Sequence, residues 1–197
     1  RTYLGENSFA LKTMDEITKK ILGSVIVPHE IVADVKKTVK NTASFTKKVE
    51  EYIYQNTTNL LDLILSGAIS LGASDIHIEP EKEKVRLRTR IDGTLQDITF
   101  FEPTIYHNLL SRIKLVSKIK LNITGKPQDG RFTVAMGKSI IEIRTSSLPA
   151  EFGEAVVMRI LNPENFMELE TLGLRNDLYK ILEKEIQRPN GMIIVTG

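Results

Sequence analysis

The dipeptide Asp92-Gly93, set between the strand-like runs Val85–Ile91 and Thr94–Phe100, constrains this chain more than any other feature. Two such residues between alternating runs specify a tight antiparallel hairpin, because both must take positive φ. A third run, Asp75–Glu79, stands just upstream. Ahead of it, Leu60, Leu61, Ile64, Leu65, Ala68 and Ile69 keep helical spacing, and Gly72 is placed to close that helix. Pro103 then opens a helix whose face carries Ile105, Leu109, Ile113 and Val116. Further strands are expected at Arg131–Met136, Ser139–Ser146 and Glu154–Leu161, with turns at Asp129-Gly130 and Gly137-Lys138. Helix, three strands, helix, three strands is an α+β order with a mainly antiparallel sheet flanked by helices.

The flanks are simpler. Residues 8–22 and 29–54 read as two amphipathic helices, separated by a break between Gly23 and Pro28. They form a helical N-terminal segment, either a lead-in or the remnant of an upstream domain. Towards the other end, a helix over 177–187 leads through Arg188-Pro189-Asn190-Gly191 into an apolar strand, Met192–Thr196. The chain begins at Arg1 and stops at Gly197, which reads as a piece of something longer.

Composition removes several classes of function. With 27 Lys+Arg against 25 Asp+Glu, the net charge of +2 gives no reason to expect direct nucleic-acid binding. The absence of cysteine excludes disulfides, thiolate metal sites and Cys nucleophiles. No run approaches the roughly 18 apolar residues that cross a bilayer as a helix. Locally, residues 101–147 carry a basic surplus, a surface fit for a phosphate or simply a solvated helix face.

Two constellations bear on chemistry. Asp75, His77 and Glu79 leave one face of a strand, as a metal-ligand row would. Arg86, Arg88 and Arg90 repeat the same spacing on the next strand, and a carboxylate–arginine ladder explains both rows without an ion. No metal site is expected. The second constellation is Arg144 and Arg159, each set in an apolar strand. A guanidinium there must reach solvent, a carboxylate such as Glu142 or Glu154, or a bound anion. Arg131, after Pro127-Gln128-Asp129-Gly130, is either a third member or turn chemistry. Nucleophile-elbow and P-loop motifs are absent from these residues.

Seven blocks in order give a resemblance over residues 58–197. They are Ala73–Pro80, Arg88–Gly93, Ser111–Lys114, Pro127–Arg131, Arg144–Pro149, Gly153–Leu161 and Arg188–Gly197. Together they resemble the secretion and pilus-assembly ATPases of type II secretion and type IV pilus systems. The resemblance implies a PAS-like (N2) domain over 58–162, preceded by residues 1–57. Residues 163–197 then form a linker, a helix and the first strand of a RecA-like ATPase domain.

It implies further that the parent is a homo-hexameric P-loop ATPase using ATP and Mg2+, cytoplasmic and peripheral to the inner membrane, where it meets platform proteins. Arg144 and Arg159 would act as arginine fingers on the γ-phosphate of ATP held by the ATPase domain of the same or a neighbouring subunit. Arg131 would lie on the same nucleotide-facing surface. These residues alone would bind no cofactor and hydrolyse nothing, lacking Walker A and Walker B. The export and assembly branch fits better than the retraction branch. Two competing readings are a non-enzymatic PAS-like sensor or interaction module, and an adaptor whose arginines are paired inward.

Overall fold

A computed structural model describes residues 23–165, 169–194 and 196. The chain divides into two compact units, one ending at Pro163 and the next starting at Glu164. In the first unit a seven-stranded sheet carries the order β1-β5-β6-β7-β2-β3-β4. Its strands are β1 (Ser24–Ile26), β2 (Asp75–Pro80), β3 (Val85–Ile91), β4 (Thr94–Phe101), β5 (Gln128–Met136), β6 (Ser139–Ala150) and β7 (Gly153–Leu161). Among the described residues only β1 against β5 is parallel; the other pairings are antiparallel. The mixed α/β architecture with a mostly antiparallel sheet agrees with the sequence.

Among the described residues, four helices accompany the sheet: α1 (His29–Thr38), α2 (Thr42–Tyr52), α3 (Thr57–Ser70) and α4 (Pro103–Val116). Their apolar stripes and one face of the sheet form a single core, with Phe45, Leu63, Leu65, Ile76, Leu87, Leu109, Ile143 and Met158 among its fully buried members. Strand alternation decides which side chains face it. Along β7, Glu154, Val156, Met158 and Ile160 are buried, while Arg159 on the opposite parity is exposed. The hairpin at Asp92-Gly93 forms as expected, with φ of 49° and 74° at the two turn residues.

In the first unit, four expectations need correction or fall elsewhere. Residues 29–54 are two helices, because Asn41 stops the run and caps α2. Its side chain accepts from the Ser44 N–H at 2.9 Å, and Ser44 Oγ accepts from the Asn41 N–H at 3.0 Å. The break between Gly23 and Pro28 holds β1, three residues long and anchored by its parallel pairing to β5. Asp129-Gly130 is not a turn but part of β5. Gly130 is needed there because a Cβ would collide with the carbonyl oxygen of Ser117, just past α4. The helix expected at 8–22 lies outside the described residues.

The second unit contains α5 (Asn176–Ile186), close to the expected bounds, with an Arg175–Asp177 ion pair of 2.6 Å at its start. The expected strand Met192–Thr196 is not seen: residues 192–194 and 196 belong to no helix or strand.

Candidate functional site: an arginine row across the sheet

Residues opposite one another in an antiparallel ladder project from the same face, with Cβ atoms about 5 Å apart. The register therefore decides whether scattered arginines meet. Arg131 of β5 stands opposite Arg144 of β6, and Arg144 stands opposite Arg159 of β7. Arg159 in turn faces Asp75 of β2, and Asp75 faces Arg90 of β3. One row thus crosses five neighbouring strands on the face away from the core.

Arg131, Arg144 and Arg159 line a single open concavity of about 620 Å³, with Asp129, Thr145 and Ser146. Like charges placed directly opposite repel, so three adjacent arginines cost free energy unless anions offset them. The offset within the described residues is incomplete. Arg144 Nε meets Glu142 Oε1 at 3.3 Å, two residues back on its own strand. Arg159 Nε donates to Asp75 Oδ1 at 3.0 Å. Arg131 makes no ion pair among the described residues. Asp129, the one carboxylate lining the concavity, accepts from Ser146 Oγ at 2.6 Å. Arg144 and Arg159 keep 68% and 67% of their side chains exposed, so their guanidinium groups remain open to an incoming anion.

Arg159 meets the requirement set by its apolar strand: β7 turns Val156, Met158 and Ile160 to the core, while Arg159, on the other parity, reaches solvent and the Asp75 carboxylate. Of the two acids considered as partners for the arginines, Glu142 is one. Glu154 is not, since it sits on the buried parity and pairs with Lys114 at 2.9 Å.

The Asp75–His77–Glu79 row is taken up as a ladder. Arg90 Nε meets Asp75 Oδ2 at 3.3 Å, Arg88 pairs diagonally with Glu79, and His77 Nδ1 stands 3.4 Å from Glu79 Oε1. Arg86 instead binds Glu81 at 2.5 Å. Among the described residues no three His, Asp or Glu side chains are grouped to hold a metal.

Asp75 is the residue that motif reasoning left out of the site. Burial pushes its carboxyl up, but hydrogen bonds from Arg159 and Ser74, with the charges of Arg159 and His77, outweigh that and hold it below the ordinary carboxylate range. The signal was present as parity: Asp75 starts the same ladder as the arginines of β3. Placing it beside Arg159 needed the β2–β7 pairing, which joins residues 84 positions apart.

A row of exposed guanidinium groups with one member unpaired suits a multiply charged oxyanion. Arginine presents planar pairs of N–H donors that match phosphate geometry.

The family model described as "Type II/IV secretion system protein" matches residues 51–197. Type II secretion system protein E of Pectobacterium carotovorum is 38% identical over 139 residues, covering 70% of this chain and 28% of the relative. The type IV pilus assembly ATPase PilB of Myxococcus xanthus is 33% identical over 175 residues, covering 86% of this chain and 31% of the relative. The chain therefore spans less than a third of the length of these relatives. The crystal structure of the pilus retraction motor PilT with bound ADP overlaps 58% of this chain and 32% of its own, with 24% identity and a TM-score of 0.39. That overlap is too slight to add to the sequence matches.

Proposed function

Since the chain belongs to the type II/IV secretion system protein family, we propose that it supplies phosphate-facing arginines to an ATP-driven secretion or pilus-assembly motor. In this reading residues 58–162 are a PAS-like domain and residues 163–197 lead into a RecA-like ATPase domain that holds ATP and Mg2+. Arg144 and Arg159 reach the γ-phosphate, and Arg131 completes the basic surface. The ATPase domain belongs to the same subunit or to a neighbour in a homo-hexamer. The whole protein is cytoplasmic, peripheral to the inner membrane, and works against platform proteins there.

The observation that carries the reading is the in-register row of Arg131, Arg144 and Arg159 around one concavity. Phosphoryl transfer spreads negative charge over the equatorial oxygens, and a permanently charged guanidinium stabilises it without a change of protonation. The repulsion between adjacent arginines falls when an anion sits among them, so the bound nucleotide and the row stabilise one another. When the γ-phosphate leaves, that contact is lost, which ties nucleotide state to the position of the domain. The row also fits a polyphosphate better than a single charge, since three strands present donors along one line. None of the described residues is assigned to Mg2+.

The test is steady-state ATP turnover by the protein extended through its ATPase domain. Arg144→Ala and Arg159→Ala should each lower kcat by about 10³-fold if they behave as other arginine fingers do, with the fold intact by circular dichroism. Losses below about tenfold return these arginines to a structural role. A folded, oligomeric wild type with no turnover overturns the motor reading altogether.

A further inference from the structure

The geometry around Arg159 points to a positioning residue that neither motif nor family match names. We infer that Asp75 holds the Arg159 guanidinium in its phosphate-facing pose by engaging Nε alone, leaving both terminal nitrogens for the anion. This rests on the proposed role of Arg159, and the experiment below separates the two.

Asp75 is built to be rigid. Only 8% of its side chain is exposed, against 67% for Arg159. Three groups fix the carboxylate: Ser74 Oγ donates to Oδ2 at 2.9 Å, Arg90 Nε meets Oδ2 at 3.3 Å, and Arg159 Nε donates to Oδ1 at 3.0 Å. Arg90 is itself tied down, its Nη1 donating to the Gly93 carbonyl at 3.0 Å in the hairpin turn. The backbone beneath is locked on both sides as well. The Ser74 N–H donates to the Arg90 carbonyl, and the Ile160 N–H donates to the Ser74 carbonyl, each at 2.8 Å.

The mode of contact separates positioning from sequestration. A carboxylate that competes with phosphate for an arginine takes the bidentate fork, using two nitrogens at once. Here Asp75 accepts a single hydrogen bond from Arg159, at Nε, where the bidentate Arg175–Asp177 pair shows two. An exposed arginine otherwise loses much of its rotamer freedom when it binds. A fixed carboxylate at Nε removes part of that cost in advance. Its negative charge also offsets the repulsion between Arg159 and Arg144, its like-charged neighbour in the row.

A double-mutant cycle on kcat, using the protein that carries its ATPase domain, tests this. Asp75→Ala should lower kcat about 10- to 100-fold with KM for ATP changed less than about threefold, and should lower it less than about threefold in an Arg159→Ala background. Asp75→Asn keeps the shape and one acceptor oxygen, so its loss should be about three- to tenfold, again vanishing without Arg159. That variant answers the question even if Asp75→Ala fails to fold, and melting temperatures of all variants report folding separately. Equal losses with and without Arg159, or a folded Asp75→Asn with wild-type kcat, overturn the inference. Wild-type kcat in Arg159→Ala alone overturns the underlying reading instead, whatever the Asp75 variants do.

Discussion

Asp62 lies on the buried side of α3 with 3% of its surface exposed, an expensive place for a carboxylate. Burial pushes its pKa up to about 6, and the charge of Arg112 on α4 offsets only part of that. The folded state therefore binds this proton more tightly than the unfolded chain. The stability linked to Asp62 is fully present below the ordinary carboxylate pKa near 4, and it is lost as pH rises through about 6. At neutral pH the ionised group costs the fold on the order of 3 kcal/mol. Asp62→Asn, which is neutral and nearly isosteric, should melt higher than wild type at pH 7.5, by a clearly smaller margin at pH 5, and close to it only below about pH 4. Thermal melts at these pH values check this, and an equal gap throughout would mean that Asp62 stays solvated. Comparing variant with wild type cancels Asp75, whose lowered pKa acts with the opposite sign: its stabilising contribution is lost as pH falls.

Packing between α2 and α3 turns on a glycine that local propensity would remove. Gly67 is in the interior of α3, where alanine is ordinarily better by up to about 1 kcal/mol. Here a Cβ would overlap the ring of Phe45 from α2, at Cε2, Cδ2 and Cζ, and Phe45 is fully buried. Overpacking of that kind costs about 1–3 kcal/mol, so Gly67→Ala should be net destabilising in urea unfolding. Unchanged or raised stability would show that the ring moves aside freely. The same contrast explains what could be read from the sequence. Asp92-Gly93 was legible because the turn states its own dihedral requirement locally, and α3 was legible because six apolar residues repeat the helical period. Gly130 was misread as a turn because its role is set by Ser117, brought to it only by tertiary packing. β1 escaped because three residues carry no periodicity of their own. Arg144 and Arg159 stood out as charges in apolar runs, but their alignment with Arg131 and Asp75 belongs to the register, which no single segment encodes.

At the scale of the whole first unit, α4 acts as a strut between a buried ion pair and the arginine row. Lys114 Nζ donates to Glu154 at 3.0 and 2.9 Å and to the Ile123 carbonyl at 2.8 Å. Glu154 accepts as well from Ser147 Oγ at 2.8 Å, while its carbonyl accepts from Tyr106 Oη at 2.5 Å. One node therefore joins α4, the segment after it, β6 and β7. Past the helix end, Ser117 Oγ and Thr145 Oγ1 lie 2.9 Å apart, and the Arg131 N–H donates to the Ser117 carbonyl at 3.2 Å. The strands bearing Arg131 and Arg144 are thus held from beneath by the helix that Glu154 anchors. Both charges are nearly fully buried, with 2% and 7% of the side chains exposed. Removing one strands the other, and Glu154→Ala or Lys114→Ala should each cost about 3–5 kcal/mol, a large share of a typical folding stability. Replacing both by Met leaves no orphan charge and should cost less than either single change. Urea unfolding of the three variants at pH 7 decides it. A double variant as damaged as the sum of the singles would mean that the two groups are satisfied independently, and that α4 is held by its apolar face alone.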